Sequence, residues 1–380
     1  MSARAIVLVT TSYPRAGDGS EAAGGFVADL AAELALHGPV RVVAPGDNAR
    51  TEAHGALQVF RYPAPTRPLS TLRPWRPAEA RDIWRVLRDG AAVTRRAVAA
   101  AGPTAHVLAL WALPSGDWAR RAALDARIGY SVWTLGSDIW SLARLPGVRA
   151  RLKKVLAEAS RCYSDGLQLA EDTRSIAGRP VEFLPSTRRT EAQRDIPPRD
   201  EPPYRLLFLG RWHRNKGVDL LIDALRQLDD DTWRRIELVD ICGGGPLQEC
   251  VADGVAALAA AGRPVRMRGF LAKPDAEAAM LAADWLLIPS RIESIPVVFS
   301  DAVKLGLPIV TTPVGDLPGL TAQPPACGRV ATAVEPAAFA AEIAAAVRAG
   351  TAAYVAGTRD RAGRFDLSRI ASRIREVPGD

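Results

Sequence analysis

What this chain has little of narrows the reading first. It carries four cysteines and four histidines in 380 residues. Cys162, Cys242, Cys250 and Cys327 stand apart with no C-x-x-C spacing, which argues against a zinc ribbon or a disulfide frame and for reduced thiols in a cytoplasmic protein. No His, Cys, Asp or Glu group has metal-ligand spacing, so no metal is expected. The run Asp229-Asp230-Asp231 falls between a predicted helix and a predicted strand and reads as a solvated turn. His213 lies within a motif; His37, His54 and His106 read as structural or surface residues. No apolar run approaches the about 18 residues of a membrane-spanning helix. Ile6-Val7-Leu8-Val9 is too short for a secretory signal and reads as a first buried strand. The patterns GxxxxGK(S/T), GxSxG and GxGxxG are missing, which argues against a P-loop enzyme, a serine hydrolase and a dehydrogenase. Nothing matches a zinc finger, an RNA-recognition motif or a basic zipper, so nucleic acid is not an expected partner.

What is present describes two ordinary globular domains. The composition is 48% hydrophobic and 24% charged, and the length suits two domains. The net charge of +7 favours anionic partners such as nucleoside diphosphates or acidic lipid. Short apolar runs alternate with helical patterns, the signature of parallel sheets covered on both faces. Strands are predicted at Ile6 to Thr10, Val40 to Ala44, His106 to Trp111 and Tyr130 to Thr134, with a helix from Gly25 to Leu36. The polar, proline-rich stretch 191–203 reads as a linker between residues 1–190 and 204–365. Alternation restarts at Arg205 to Gly210 and continues at Ile236 to Cys242, Val265 to Arg268, Trp285 to Ile288 and Ile309 to Thr312. A last helix, about Leu367 to Val377 within residues 366–380, is expected to pack back on the N-terminal domain. Ligands of such sheets sit beyond the carboxyl ends of the strands, so the residues just after each strand, and the cleft between the domains, are the places to search.

Three segments there carry chemistry. Gly210-Arg211-Trp212-His213-Arg214-Asn215-Lys216-Gly217 follows a strand and precedes an amphipathic helix. It sets Arg211 and Lys216 near a helix N-terminus, where two cations suit a diphosphate; a solvated basic loop is the plainer alternative. Arg291-Ile292-Glu293 follows Trp285 to Ser290, and Asp301 lies eight positions beyond Glu293, about two turns into a predicted helix. Both carboxylates can then face one ligand and accept bonds from sugar hydroxyls, the alternative being capping and surface charge. Gly306-Leu307-Pro308 to Gly315-Asp316-Leu317-Pro318 is a helix end, a buried strand and a turn whose backbone N–H groups can cradle an anion.

These segments, in this order, resemble glycosyltransferase family 4, retaining enzymes of the GT-B fold. The counterparts are Arg211 and Lys216, then Gly243-Gly244-Gly245-Pro246, then Glu293 to Asp301, then Gly306-Leu307-Pro308 and Val314-Gly315. The resemblance implies a GT-B, α/β fold of two Rossmann-like αβα domains facing across a cleft. It implies transfer from a nucleoside-diphosphate sugar to a hydroxyl acceptor, with no cofactor and no metal requirement. Arg211 and Lys216 would hold the diphosphate and Glu293 the transferred sugar, these three being the catalytic set. Asp301 would hold the ribose hydroxyls, and Ser294, Ile295, Pro296 and Val297 the phosphate and sugar. Gly243 and Gly244 would line the donor site. Gly24 and Gly25, opening the first helix, look like the family's loop facing the phosphates. Thr134-Leu135-Gly136-Ser137-Asp138 resembles the family's T-x-H-G-S-D strand end without the usual His, with either Leu135 in its place or one residue deleted, which implies altered sugar recognition or a role taken by another residue. Asp138 and Trp111 fall on the acceptor side, with a helix N-cap as the plainer role for Asp138.

Asp301 stands where the family has Glu. A non-catalytic nucleotide-sugar-binding or scaffold protein, and a GT-B epimerase or hydrolase acting on the donor, are the rival functions. Arg67, Arg73, Arg76, Arg81, Arg85, Arg88, Arg95 and Arg96 are interleaved with Trp75, Trp84 and Leu87. That pattern fits either a solvated helical face or a peripheral contact with anionic lipid on the inner face of the membrane.

Overall fold

The computed structural model describes residues 4–15, 21–67, 69 and 72–376. They divide into two compact units, Met1–Arg189 with Leu367–Asp380, and Thr190–Asp366. In the N-terminal unit the strands are β1 (Ile6–Val9), β2 (Val40–Gly46), β3 (Arg50–His54), β4 (Leu57–Pro63), β5 (His106–Leu110), β6 (Tyr130–Thr134), β7 (Arg161–Ser164) and β8 (Glu182–Phe183). They form one sheet in the order β3-β4-β2-β1-β5-β6-β7-β8. All pairings are parallel except β3 with β4. β1, β5 and β6 are buried along their whole length, as unbroken apolar strands covered by helices on both faces must be. The helix Leu367–Arg375 closes this unit. Its Arg375 guanidinium donates to the carbonyls of Arg4 (3.0 Å) and Gly38 (3.1 Å). Val377, to which the sequence pattern extends that helix, and Met1 to Ala3 lie outside the described residues.

The C-terminal unit contains β9 (Tyr204–Arg211), β10 (Ile236–Gly244), β11 (Val265–Arg268), β12 (Trp285–Ile288), β13 (Ile309–Thr311) and β14 (Gly328–Val330). Its sheet runs β11-β10-β9-β12-β13-β14, parallel throughout. Trp285, Leu287, Val310, Phe339 and Ile343 pack its core. Truncating a wholly buried side chain such as Trp285 or Phe339 to Ala costs about 3–5 kcal/mol.

The stretch 191–203 departs from the expectation of a linker, because it is bound along the C-terminal unit. The Arg194 guanidinium donates to the carbonyls of Leu305 (2.6 Å), Met280 (2.6 Å) and Leu281 (3.0 Å). Arg199 pairs with Asp284 (3.1 Å) and Glu237 (2.5 Å). A polar composition therefore serves here to satisfy carbonyls and carboxylates at the unit's edge.

The strand order places the sites. In each sheet the winding reverses once, between β1 and β5 in the N-terminal unit and between β9 and β12 in the C-terminal one. Loops leaving the carboxyl ends of two strands at such a reversal diverge to opposite faces and open a crevice between them.

Candidate functional site

At the β9/β12 reversal the two diverging loops carry the charged residues singled out above. After β9 comes a single 3-10 turn, Arg214–Lys216, then Gly217, then the helix Val218–Leu225. The His213 ring nitrogen accepts from Asn215 N–H (3.2 Å) and so closes the turn. Gly217 is left-handed (φ 71°), and a Cβ built there would stand 1.8 Å from the Pro289 carbonyl oxygen just after β12. Only glycine lets the two loops approach this closely. The contact is completed by Arg291, whose backbone N–H donates to Asn215 O (2.8 Å) and whose guanidinium reaches Arg214 O (2.9 Å) and Asp219 (2.7 Å).

That approach sets Lys216 against Glu293: the ammonium donates to a carboxylate oxygen of Glu293, to which the Ser290 hydroxyl also points at 3.4 Å. The Glu293 side chain is 11% exposed and that of Lys216 36%, so the pair lies at the rim of the crevice with the cation outward. From the other side the turn after β13 presses on the same loop. Gly315 (φ 53°) would place a Cβ 2.2 Å from the Glu293 carbonyl oxygen. Glu293 is thus clamped between two glycine turns, which removes the chain entropy that a free loop carboxylate would have to lose on binding. Arg211, the last residue of β9, is exposed and has no carboxylate partner among the described residues. It and Lys216 supply the cationic wall.

Ser294, Ile295 and Pro296 lead into the helix Val297–Lys304. Ser294 is buried and its hydroxyl has no hydrogen-bond partner among the described residues. Asp301 is the fifth residue of that helix, one turn in rather than two, because the helix begins only at Val297. It is 4% exposed, with Lys304 at 3.7 Å. Gly243 and Gly244 end β10, where Gly244 O accepts from the N–H of the wholly buried Trp212 (2.8 Å). Two residues here escape sequence reasoning. Trp212 carries the glycine run, accepting the Leu247 N–H at 3.0 Å. Phe270, two residues past β11, is 51% exposed with its ring against Gly244.

The N-terminal reversal, between β1 and β5, brings aromatic groups together. Trp111 follows β5 in a left-handed conformation (φ 66°), a strained state for a bulky residue that costs on the order of 1–3 kcal/mol. Its ring meets Phe26 edge-on at 6.2 Å, and its backbone N–H donates to Trp133 O at 2.9 Å. Gly24 and Gly25 do not form a loop opening the first helix. They lie inside the helix Glu21–Ala35, where Gly24 allows close packing on the Tyr13 backbone. Burial of apolar residues such as Val27, Leu30 and Leu34 overrides the glycines' low helix propensity.

Asp138 is likewise not displayed to an acceptor. It is 1% exposed, and its carboxylate accepts the N–H groups of Ala112 (2.7 Å), Leu135 (3.3 Å) and Ile139 (3.1 Å). Burial pushes its carboxyl up to about 6 against the downward pull of those N–H groups. Asp138 thus ties the start of the helix Ser137–Trp140 to the chain leaving β5. Asp229, read as a turn residue, caps the helix Asp230–Arg234 by accepting from Thr232 N–H (2.8 Å).

Comparison with known proteins places this geometry. Residues 203–349 match the sequence profile described as "Glycosyl transferases group 1". Over 246 residues the chain is 28% identical to the D-inositol 3-phosphate glycosyltransferase 1 of Catenulispora acidiphila, covering 59% of this chain and 58% of that one. The chain spans about half the length of the curated relatives it matches. Sucrose-phosphate synthase from Thermosynechococcus elongatus superposes with a TM-score of 0.72 over 98% of this chain and 97% of that one, at 17% identity. Anabaena HepE, solved in complex with UDP, gives 0.68 over 98% of each chain, at 16% identity. The chain therefore has the GT-B fold of two Rossmann-like units, and the match to glycosyl transferases group 1 falls within its C-terminal unit.

Proposed function

We propose that this protein transfers a glycosyl group from a nucleoside-diphosphate sugar to a hydroxyl of a glycan, lipid-linked or small-molecule acceptor, with retention of anomeric configuration and with cationic side chains in place of a metal. The observation that carries the reading is the Lys216–Glu293 pair at the β9/β12 reversal, beside the exposed Arg211, inside the region that matches glycosyl transferases group 1.

In this reading Arg211 and Lys216 take the diphosphate, and Lys216 exchanges Glu293 for a phosphate oxygen when the donor enters. Glu293 is then released to accept hydroxyls of the transferred sugar. The N-terminus of the helix Val297–Lys304, with the Ser294 hydroxyl and the Ile295 to Val297 backbone, faces the phosphates with its positive end. Asp301 reaches toward the ribose, and Phe270 offers an exposed ring to the base. The bond from the anomeric carbon to the phosphate oxygen breaks as the acceptor oxygen bonds to the same face, and the departing diphosphate takes the acceptor's proton. Charge developing on the leaving group is stabilised by groups already held in place, the effect that contributes most in such sites.

The test is a thermal-shift panel of UDP, GDP, dTDP, ADP and CDP in the presence of a chelator, repeated on Lys216→Ala. One diphosphate is expected to raise the melting temperature, since a ligand of the folded state alone stabilises it by mass action. Lys216→Ala is expected to abolish the rise. A rise that survives Lys216→Ala, or one that needs magnesium, refutes the assigned donor site. The anomeric configuration of the product, read by NMR, decides retention.

A further inference from the structure

The helix Pro77–Ala101 of the N-terminal unit has two unlike faces. Val86, Gly90, Val93, Thr94, Ala97 and Val98 are buried. On the opposite side, Arg81, Trp84, Arg88 and Arg95 fall within roughly 60° of one another at 3.6 residues per turn. Trp84 is 58% exposed, Leu87 42%, and Trp75, just ahead of the helix, 75%. The Arg88 guanidinium stacks over the Trp84 ring at 4.8 Å. Between Leu72 and Ala101 there are seven arginines and three acids. The acids are already occupied: Glu79 accepts from Arg73 N–H and faces Arg76 (3.3 Å), Asp82 faces Arg85 (3.9 Å) and Asp89 faces Arg88 (2.7 Å). The side chains of Arg73, Arg81, Arg95 and Arg96 have no carboxylate partner among the described residues.

We propose that this face, with Trp75, docks on a bilayer surface that carries anionic phospholipid. The arginines supply the charge complementarity, with an excess of four positive charges on one helix and its entry. The two tryptophans and Leu87 supply what charge alone does not need: exposed apolar groups for the depth where headgroups give way to acyl chains. A nucleic acid would engage the same arginines but would leave Leu87 without a partner. No helix among the described residues is long and apolar enough to cross a membrane, so the contact is with the surface. This inference goes beyond glycosyl transfer and stands or falls without it.

The experiment is co-sedimentation of the full chain with phosphatidylcholine vesicles and with vesicles in which a third of the lipid is phosphatidylglycerol. The chain is expected to sediment with the anionic vesicles alone and to be released by salt. Arg81→Glu/Arg95→Glu is expected to lower partitioning by at least about a hundredfold, and Trp75→Ala/Trp84→Ala by roughly tenfold. Both double variants should keep the parent melting temperature. No sedimentation, equal binding to neutral vesicles, or partitioning unmoved by either double variant overturns the proposal. So does a chain that ignores vesicles yet binds a labelled oligonucleotide through the same arginines, which would make the partner a nucleic acid.

Discussion

The two sheets reverse in the same way and fill their reversals differently. At β9/β12 the diverging loops end in side chains whose charge reaches the crevice, Arg211, Lys216 and Glu293, held by backbone contacts at Gly217 and Gly315. At β1/β5 Trp111 meets the buried Phe26 edge-on, and the chain leaving β5 is tied by Asp138, a carboxylate after β6 that is turned inward and spent on backbone N–H groups. One topology thus carries two cations beside a carboxylate in one unit and an aromatic pair in the other. The difference is chemical rather than architectural, which is why a shared fold alone does not assign roles to the two units.

The largest effect should come from removing the carboxylate that faces Lys216 in the C-terminal crevice. Glu293→Gln keeps the shape of the loop and loses the anion, and transfer measured by nucleotide release is expected to fall on the order of a hundredfold or more while the melting temperature holds. A variant that retains activity would overturn the role proposed for Glu293. Next is the frame that positions it. Gly217→Ala drives a Cβ into the Pro289 carbonyl and should cost more than about 3 kcal/mol in urea unfolding, with donor binding lost in step. The same substitution at Gly55, where the structure shows open space around the added Cβ but the same sign of φ, should cost about 1 kcal/mol. Equal losses at both sites would show that the loop-to-loop approach is not what Gly217 secures.

The N-terminal unit should announce its inward-turned polar groups through pH. Asp138 keeps a proton in the folded state between 3.8 and about 6, where the unfolded chain has released it, so its contribution declines as pH rises through that window, by up to about 3 kcal/mol. His106 acts with the opposite sign. Burial, with the charges of Arg4 and Arg161, pushes it down to about 3 from 6.5, so its contribution declines as pH falls. The two trends oppose each other in the parent and separate in variants. Compared at about pH 4.5 and about pH 7, Asp138→Asn should gain on the parent as pH rises, and His106→Gln should gain on it as pH falls. Parallel curves for parent and variants would show that neither group is buried in solution as it is in the structure.

How much of this was legible in the sequence follows from the same contrast. The placement of residues at a strand end could be read from spacing. Arg211 ends β9, and Lys216 and Glu293 follow β9 and β12, with Gly217 and Gly315 beside them, because the loops are short and the glycines mark where they must touch. Roles that depend on which way a side chain turns could not be read. Asp138 has the spacing of a strand-end polar group and points inward, and Gly24 and Gly25 look like a loop while lying in a helix. Short edge elements also escaped. The β3–β4 hairpin has exposed polar residues along β3, and β8 has two residues, too few for any period to show. Phe270 escaped because a lone exposed aromatic carries no pattern. Removing its ring should weaken binding of the recognised diphosphate by roughly tenfold, seen as a smaller thermal shift, if bases stack there at the strength aromatic platforms usually give.

The smallest expected effect sharpens the comparison from within the C-terminal crevice, where one carboxylate is itself partly withdrawn. Asp301 is 4% exposed with Lys304 at 3.7 Å, one turn into its helix. Its charge is therefore intermediate between the displayed Glu293 and the internal Asp138. Lengthening it tests which behaviour governs. Asp301→Glu carries the carboxylate one methylene farther out, and donor affinity by calorimetry is expected to tighten about threefold, a change of less than 1 kcal/mol. The added methylene must fit a packed helix face, so a stability loss of about 1 kcal/mol is expected alongside. Tighter binding at lower stability would mean that Asp301 serves the ligand at the crevice's edge. Unchanged affinity with the same stability loss would place Asp301 with Asp138, as a carboxylate spent on its own fold.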